Sequence, residues 1–223
     1  RMKRILAVAP HPDDETLGCG GTILKHKTAG DHVSWLIVTN IAVADGYEGE
    51  TVEARQHEIA RVAQEYSFDD LFKLDFPTTK LDVLPKGEMI RKVADVIGKV
   101  KPDIVYGPHA GDVHSDHRIV FDILASSLKT FRFPFVKRFL MYEVLSETEF
   151  SPPLATNSFL PNSFSDITPF LERKLAIMEL YRGEIQPHPF PRSVENVRAL
   201  ATWRGATAGV PYGEAFVLLK ECW

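Results

Sequence analysis

The chain has 223 residues, 44% hydrophobic and 25% charged, with a formal net charge of -4 and a pI of about 6.1. That length supports a single domain, residues 1–223, with a sizeable core, and that balance excludes intrinsic disorder. It gives no global drive toward nucleic acid or an anionic membrane, and no apolar stretch approaches the length of a bilayer span.

Lys3 to Ala9 reads as a β-branched and apolar strand bounded by Pro10 and Pro12. A polar loop follows. Thr16 to about Ala29 then reads as a helix, ended by Gly30 at a C′ position. Val33 to Val38 is a second strand, apolar enough to be buried on both faces as in a parallel sheet. Asn40 to Gly49 is a loop, with Asp45-Gly46 as its turn signal. Glu50 to about Tyr66 is an amphipathic helix, and Leu71 to Leu74 a short third strand. After a loop from Pro77 to Pro85, Lys86 to Val100 spaces Ile90, Val93, Ile97 and Val100 along one helical face. Pro102 leads into a strand from Asp103 to Tyr106. A helix begins at Ser115 or Asp116 and reaches about Lys129.

Phe139 to Val144 reads as a further strand. Residues 146–166 are proline- and serine-rich, with Asn157 to Leu160 as an expected edge strand. A long helix is expected from Thr168 to about Arg182, then a loop carrying Pro187, Pro189 and Pro191 around His188. Val194 to about Gly205 is a helix, and Glu214 to Leu219 closes as strand or helix. Strand and helix alternate through the first 145 residues, which implies right-handed βαβ units and a mainly parallel sheet. The expected fold is α/β, a Rossmann-like three-layer sandwich.

The organising stretch is His11-Pro12-Asp13-Asp14-Glu15, one imidazole and three carboxylates directly after a buried strand. It reads as a metal site with a general base beside it, or as an acidic helix N-terminus favoured by the dipole. His114-Ser115-Asp116-His117, about a hundred residues later, favours the first reading. Both clusters follow strands, and ligands in open α/β sheets bind beyond the carboxyl ends of strands. His11 and Asp14 can supply two ligands. His114 and His117, at i and i+3 on one helical face, allow one to ligate while the other reaches a substrate. Asp13 or Glu15 remains as base.

Ala9-x-His11-Pro12-Asp13-Asp14-Glu15, then Leu17-Gly18-Cys19-Gly20-Gly21-Thr22, and later His114-x-Asp116-His117 resemble the PIG-L (LmbE-like) family of zinc-dependent N-acetylglucosaminyl deacetylases. Arg55-x-x-Glu58 also matches. The resemblance implies that His11, Asp14 and His117 ligate zinc, that Asp13 is the general base, and that His114 stabilises the oxyanion or protonates the departing amine. It implies that Asp116 orients a histidine and that Arg55 binds a sugar hydroxyl or phosphate. The implied reaction removes acetyl from an amino-sugar conjugate or glycan precursor. A zinc amidase on another amide, such as a thiol–sugar conjugate, is an alternative, as is a metal- or carbohydrate-binding protein without turnover. The ligand set also tolerates Fe²⁺ or another divalent metal. A homo-oligomer is expected from the family, with residues 146–166 as its contact or as a lid. Ser115 stands where proline is common, and the Ile41–Gly49 loop departs from the family's shorter glycine turn.

Cys19 and Cys222 form no CxxC pair, so a reducing cytoplasm is the expected setting and Cys19 reads as a packing residue. Gly18-Cys19-Gly20-Gly21 lacks the spacing of a dinucleotide fingerprint. His188 is a candidate for the substrate cleft, as are His109 and the aromatic residues Tyr47, Tyr142, Phe190 and Trp203. Core or surface roles compete for each.

Overall fold

A computed structural model describes residues 1–222. The strands are β1 (Arg4–Ala9), β2 (His32–Asn40), β3 (Asp70–Pro77), β4 (Ile104–Pro108), β5 (Arg138–Tyr142), β6 (Ser163–Asp166) and β7 (Gly213–Glu221). The α-helices are α1 (Asp14–Thr28), α2 (Gly49–Tyr66), α3 (Lys86–Val100), α4 (Ser115–Ser127), α5 (Leu171–Met178) and α6 (Val194–Ala208). One sheet of order β3-β2-β1-β4-β5-β7-β6 joins all the strands. Its first five members are parallel, while β7 runs antiparallel to both β5 and β6. Among the described residues, no helix is long and apolar enough to cross a membrane.

Alternation along the central strands feeds two cores. Ile5, Ala7, Ala9, Trp35 and Ile37 face one side, where α1, α2, α5 and α6 pack. Leu6, Val8, Leu36 and Val38 face the other, against α3 and α4. The near-continuous apolar sequences of β1 and β2 follow from this burial on both faces. The chain moves outward from β1 through β2 to β3, then returns to place β4 on the other side of β1. The loops after β1 and β4 therefore leave the same rim at a topological switch point, where a crevice forms.

Helix α1 begins at Asp14, two residues before the expected start, and is broken at Cys19 (φ -144°, ψ 20°). A kink frees backbone groups that must find partners. The Glu214 carboxylate accepts from Gly21 N and Thr22 N, both at 2.8 Å, and from the Thr22 hydroxyl at 2.6 Å. Lys174 Nζ takes the Leu17 carbonyl at 2.9 Å and pairs with Glu214 at 2.8 Å. A β-carbon on Gly18 would lie 2.1 Å from the Tyr142 ring, so only glycine lets the helix approach β5 this closely. The glycine run thus serves helix–sheet contact, and Cys19 is buried as a packing residue.

Three expectations are corrected. Strand β3 is longer than Leu71–Leu74, because an extra residue at Asp75 (φ 51°) forms a bulge that hides the alternation reaching Phe76. The edge strand lies at Ser163–Asp166, not at Asn157–Leu160, where Ala155–Asn157 forms a 3₁₀ turn. The helix expected over Thr168–Arg182 is confined to Leu171–Met178. Asp166 Oδ1 accepts from Thr168 N at 2.9 Å and from its hydroxyl at 2.6 Å, holding the chain in a turn before α5. The closing segment is a strand.

Candidate active site

The loop from Pro10 to Asp13 is fixed to β2, where Thr39 N and Oγ1 both donate to the Pro10 carbonyl at 3.0 and 2.8 Å. The turn brings His11 and Asp14 together, with His11 N donating to Asp14 Oδ2 at 2.8 Å and His11 Nδ1 lying 3.3 Å from the same oxygen. From the start of α4, His117 Nε2 lies 3.2 Å from that oxygen as well. His114 is the N-cap of α4, its Nδ1 accepting from Asp116 N at 3.1 Å. The His11 and His114 ring centroids are 4.5 Å apart. Residues about a hundred positions apart thus converge as the strand order requires.

Two trios bring their ligand atoms within 4.8 Å of one another: His11, Asp14, His117 and His11, His114, Asp116. The first fits a metal better. In the second, Asp116 Oδ2 already accepts from Thr79 N at 2.8 Å and meets His11 Nε2 at 3.0 Å, and His114 Nδ1 is taken by its capping bond. In the first, His117 Nε2 is buried without a hydrogen-bond partner, an atom that calls for one. The second nitrogen of each histidine in the first trio is anchored. Asp112 Oδ2 takes His117 Nδ1 at 2.8 Å and Asp116 takes His11 Nε2.

The electrostatics also ask for a cation. Burial opposes charge on His11, but hydrogen bonds to Asp116 and Asp14 outweigh it and raise its pKa to about 9. Burial likewise opposes charge on His117, and Asp14 and Asp112 overcome it. Burial would raise the Asp14 carboxyl, yet His117 and His11 hold it well below the usual carboxylate range. Asp13 behaves oppositely: burial first, then the charges of Asp14 and Glu184, push it up. Its φ of 131° is an unusual conformation for a non-glycine residue, stabilised where Asp13 N donates to Glu15 Oε2 at 3.1 Å. Glu15 points inward, accepting the Thr16 and Tyr181 hydroxyls at 2.7 Å each. Of the two carboxylates open as a base in the sequence, Asp13 alone lines the cleft. Desolvation, then the neighbouring His11 and His117, depress His114 to about 4.

Around this floor opens a cleft of about 370 Å³, a size suited to a small ligand. Tyr47 lines it, from the Ile41–Gly49 loop whose length departs from the resembled pattern. Tyr142 is fully buried, with its hydroxyl donating to the Val8 carbonyl at 2.7 Å, and Trp203 lies exposed away from the cleft. His109 is turned away: its Nε2 meets the Asn157 carbonyl at 2.9 Å, fixing the 155–159 segment. His188 is exposed in its proline loop and does not line the cleft; Arg192, four residues on, reaches it instead. Arg55 lines the cleft, its charge paired with carboxylates. It bonds the Pro12 carbonyl at 3.1 Å and pairs with Glu184, which also pairs with Arg192. Asp112 and Glu184 are the residues that sequence reasoning missed. For Asp112 the one available signal was its position in the loop leading to His114.

A model of the PIG-L family, described as GlcNAc-PI de-N-acetylase, matches residues 6–128, a span containing every metal-facing residue above. The chain is 28% identical to a diacetylchitobiose deacetylase of Thermococcus kodakarensis, over 96% of this chain and 82% of that one. Among solved structures, the conserved protein TT1542 from Thermus thermophilus superposes with a TM-score of 0.79 at 29% identity, covering 100% of this chain and 97% of that one. The N,N'-diacetylchitobiose deacetylase from Pyrococcus horikoshii does so with a TM-score of 0.77 at 25% identity, covering 98% and 84%. The fold, the converging motifs and the matched span together show that the chain belongs to the PIG-L family and is an N-deacetylase, a hydrolase of carbon–nitrogen bonds other than peptide bonds.

Proposed function

We propose that this protein hydrolyses the acetamido group of an N-acetylglucosamine-type sugar, carried on a small conjugate or glycan, with zinc as the resident metal. The observation that carries the reading is the buried, unpartnered His117 Nε2, facing Asp14 and His11 on the floor of a cleft that Asp13 also lines. The deacetylase names of the relatives from Thermococcus kodakarensis and Pyrococcus horikoshii agree with it.

His11 Nδ1, Asp14 and His117 Nε2 would hold the metal. When bound, zinc supplies Lewis acidity for the amide carbonyl and lowers the pKa of a coordinated water to about 7. Asp13 takes a proton from the attacking water, a task suited to a carboxyl whose pKa burial has raised. Because His114 Nδ1 accepts the Asp116 N–H, the proton of the neutral ring resides on Nε2. From there it donates to the oxygen on which negative charge develops. Asp13 returns its proton to the nitrogen, the carbon–nitrogen bond breaks, and acetate and a free amine leave. Arg55 bonds the Pro12 carbonyl and so steadies the loop that presents Asp13.

Acetate release from a panel of N-acetylglucosamine conjugates, with zinc-loaded and chelated protein, tests the reading. Chelator-sensitive release from one member supports it. Absence of release from all of them, with metal bound stoichiometrically, rejects it.

A further inference from the structure

Six charged carboxylate and guanidinium side chains line the cleft: Asp13, Asp14, Glu147 and Glu184, with Arg55 and Arg192. Among the described residues, the two arginines are the only cations there apart from the histidines of the floor, and each is already paired with a carboxylate. Arg55 pairs with Glu184, places Nε 3.5 Å from Glu58 Oε2, and bonds the Pro12 carbonyl. Arg192 bonds Glu184 Oε2 at 3.1 Å, the Glu184 carbonyl at 2.8 Å and Ser146 Oγ at 2.5 Å. Two arginines and two glutamates form a closed cluster whose formal charges cancel. Asp13 and Asp14 belong to the floor, where a divalent ion would match them.

Glu147 is left over. It lies half-buried in the cleft wall shortly after β5, next to Ser146, which Arg192 bonds. Its backbone is tied on both sides, Glu147 N to the Val144 carbonyl at 3.1 Å and its own carbonyl accepting Val113 N at 3.1 Å. Its carboxylate receives one contact, the Ser146 hydroxyl at 3.3 Å, too long to be strong. A fixed backbone carrying an under-used carboxylate into a ligand cleft is an acceptor awaiting donors. An anionic substrate group would find the cleft's arginines already neutralised by carboxylates and would meet the Glu147 carboxylate in a partly desolvated wall, where like charges repel most.

We propose that Glu147 sets the charge selectivity of the cleft: it favours an uncharged or cationic amino sugar, by accepting hydroxyl or ammonium donors, and rejects conjugates bearing phosphate or carboxylate near the sugar. This deepens the deacetylase reading and rests on it for the identity of the substrate ring.

Two measurements test it. On zinc-loaded protein, acetate release is compared between N-acetylglucosamine and its 6-phosphate, and between N,N'-diacetylchitobiose and its mono-deacetylated form, at low salt. The phosphate is expected to show a kcat/KM roughly tenfold lower than its neutral parent, the size of one charge-assisted contact. Glu147→Gln narrows that gap and Glu147→Lys reverses it. Separately, ligand-detected NMR on zinc-loaded Asp13→Asn protein, which keeps the metal while turnover is slowed, ranks glucosamine dimer, N,N'-diacetylchitobiose and N-acetylglucosamine 6-phosphate. The expected order of affinity ends with the phosphate and loses its charge dependence in Glu147→Gln. Fastest release from the phosphate overturns the proposal and leaves the deacetylase reading standing. No release from any sugar, with the binding order as expected, rejects the deacetylase reading and supports the assignment of Glu147. Any other binding order, or one unchanged by both substitutions, overturns it.

Discussion

Asp112 Oδ2 lies 2.8 Å from His117 Nδ1, and both side chains are almost wholly shielded from solvent. Thr148 Oγ1 donates to the other Asp112 oxygen at 2.7 Å, so the carboxylate is held from both ends. This contact fixes which His117 nitrogen faces Asp14. Asp112→Ala is therefore expected to weaken zinc binding by about 10–100-fold while the circular dichroism spectrum is preserved. Competition against a chelating dye measures it. Unchanged affinity would show that His117 orients itself without Asp112.

Asp13→Asn separates chemistry from binding. The amide keeps the shape of the side chain, and asparagine tolerates positive φ better than most residues. Metal affinity should change little, whereas kcat should fall by about 10²–10⁴-fold, the usual contribution of a general base. A loss confined to KM would place Asp13 among the groups that merely bind the sugar.

Metal loading should stabilise the fold, because the floor gathers buried groups that repel one another without a cation. At a free zinc concentration a hundred times Kd the gain is about 2.7 kcal/mol, which in a chain of this size raises Tm by roughly 5–10 °C. Thermal melts with and without a chelator read it. His117→Ala should abolish the difference.

The pair Lys174–Glu214 lies in the interior at the break in α1. Replacing one partner leaves the other charged and buried, so Lys174→Met is expected to cost about 3–5 kcal/mol in urea unfolding. A loss under about 1 kcal/mol would mean that Glu214 is satisfied by Gly21, Thr22 and water alone.

Stability should fall in mild acid through a group far from the cleft. Burial lowers the pKa of His26, outweighing the hydrogen bond of its Nδ1 to Asp31; its Nε2 lies 3.0 Å from the Tyr106 hydroxyl. Between its folded value and the ordinary 6.5, the unfolded chain binds more protons than the folded one. The contribution of His26 is thus complete above pH 6.5 and is lost as pH falls through its lower folded value. His26→Gln should flatten that limb of the urea-midpoint profile. An unchanged slope would assign the limb to other groups.

The convergence of the candidate ligands was legible because their chemistry is contiguous: His11 and Asp14 share one turn, and His114 to His117 share another. The parallel order of β1 to β5 was legible because burial on both faces removes polar residues from those strands. Glu184 was not, since its meaning lies in a pairing with Arg55 across more than a hundred positions. His188 looked functional for its residue type, but its loop turns it outward. Strand β6, Ser-Phe-Ser-Asp, carries no apolar run because it lies at the sheet's edge.

The position of β7 between β5 and β6 has a consequence for synthesis on the ribosome. Strand β6 emerges earlier, yet among the described residues its only neighbour in the sheet is β7. The carboxylate that closes the break in α1, Glu214, arrives on the same late segment. Helix α1, synthesised well before Glu214, therefore lacks this acceptor for its Gly21 and Thr22 N–H groups until residues 213–221 have cleared the exit tunnel. The break in the helix is closed only by that later segment, and the interval between them is when a chaperone holding the α1 region would matter most.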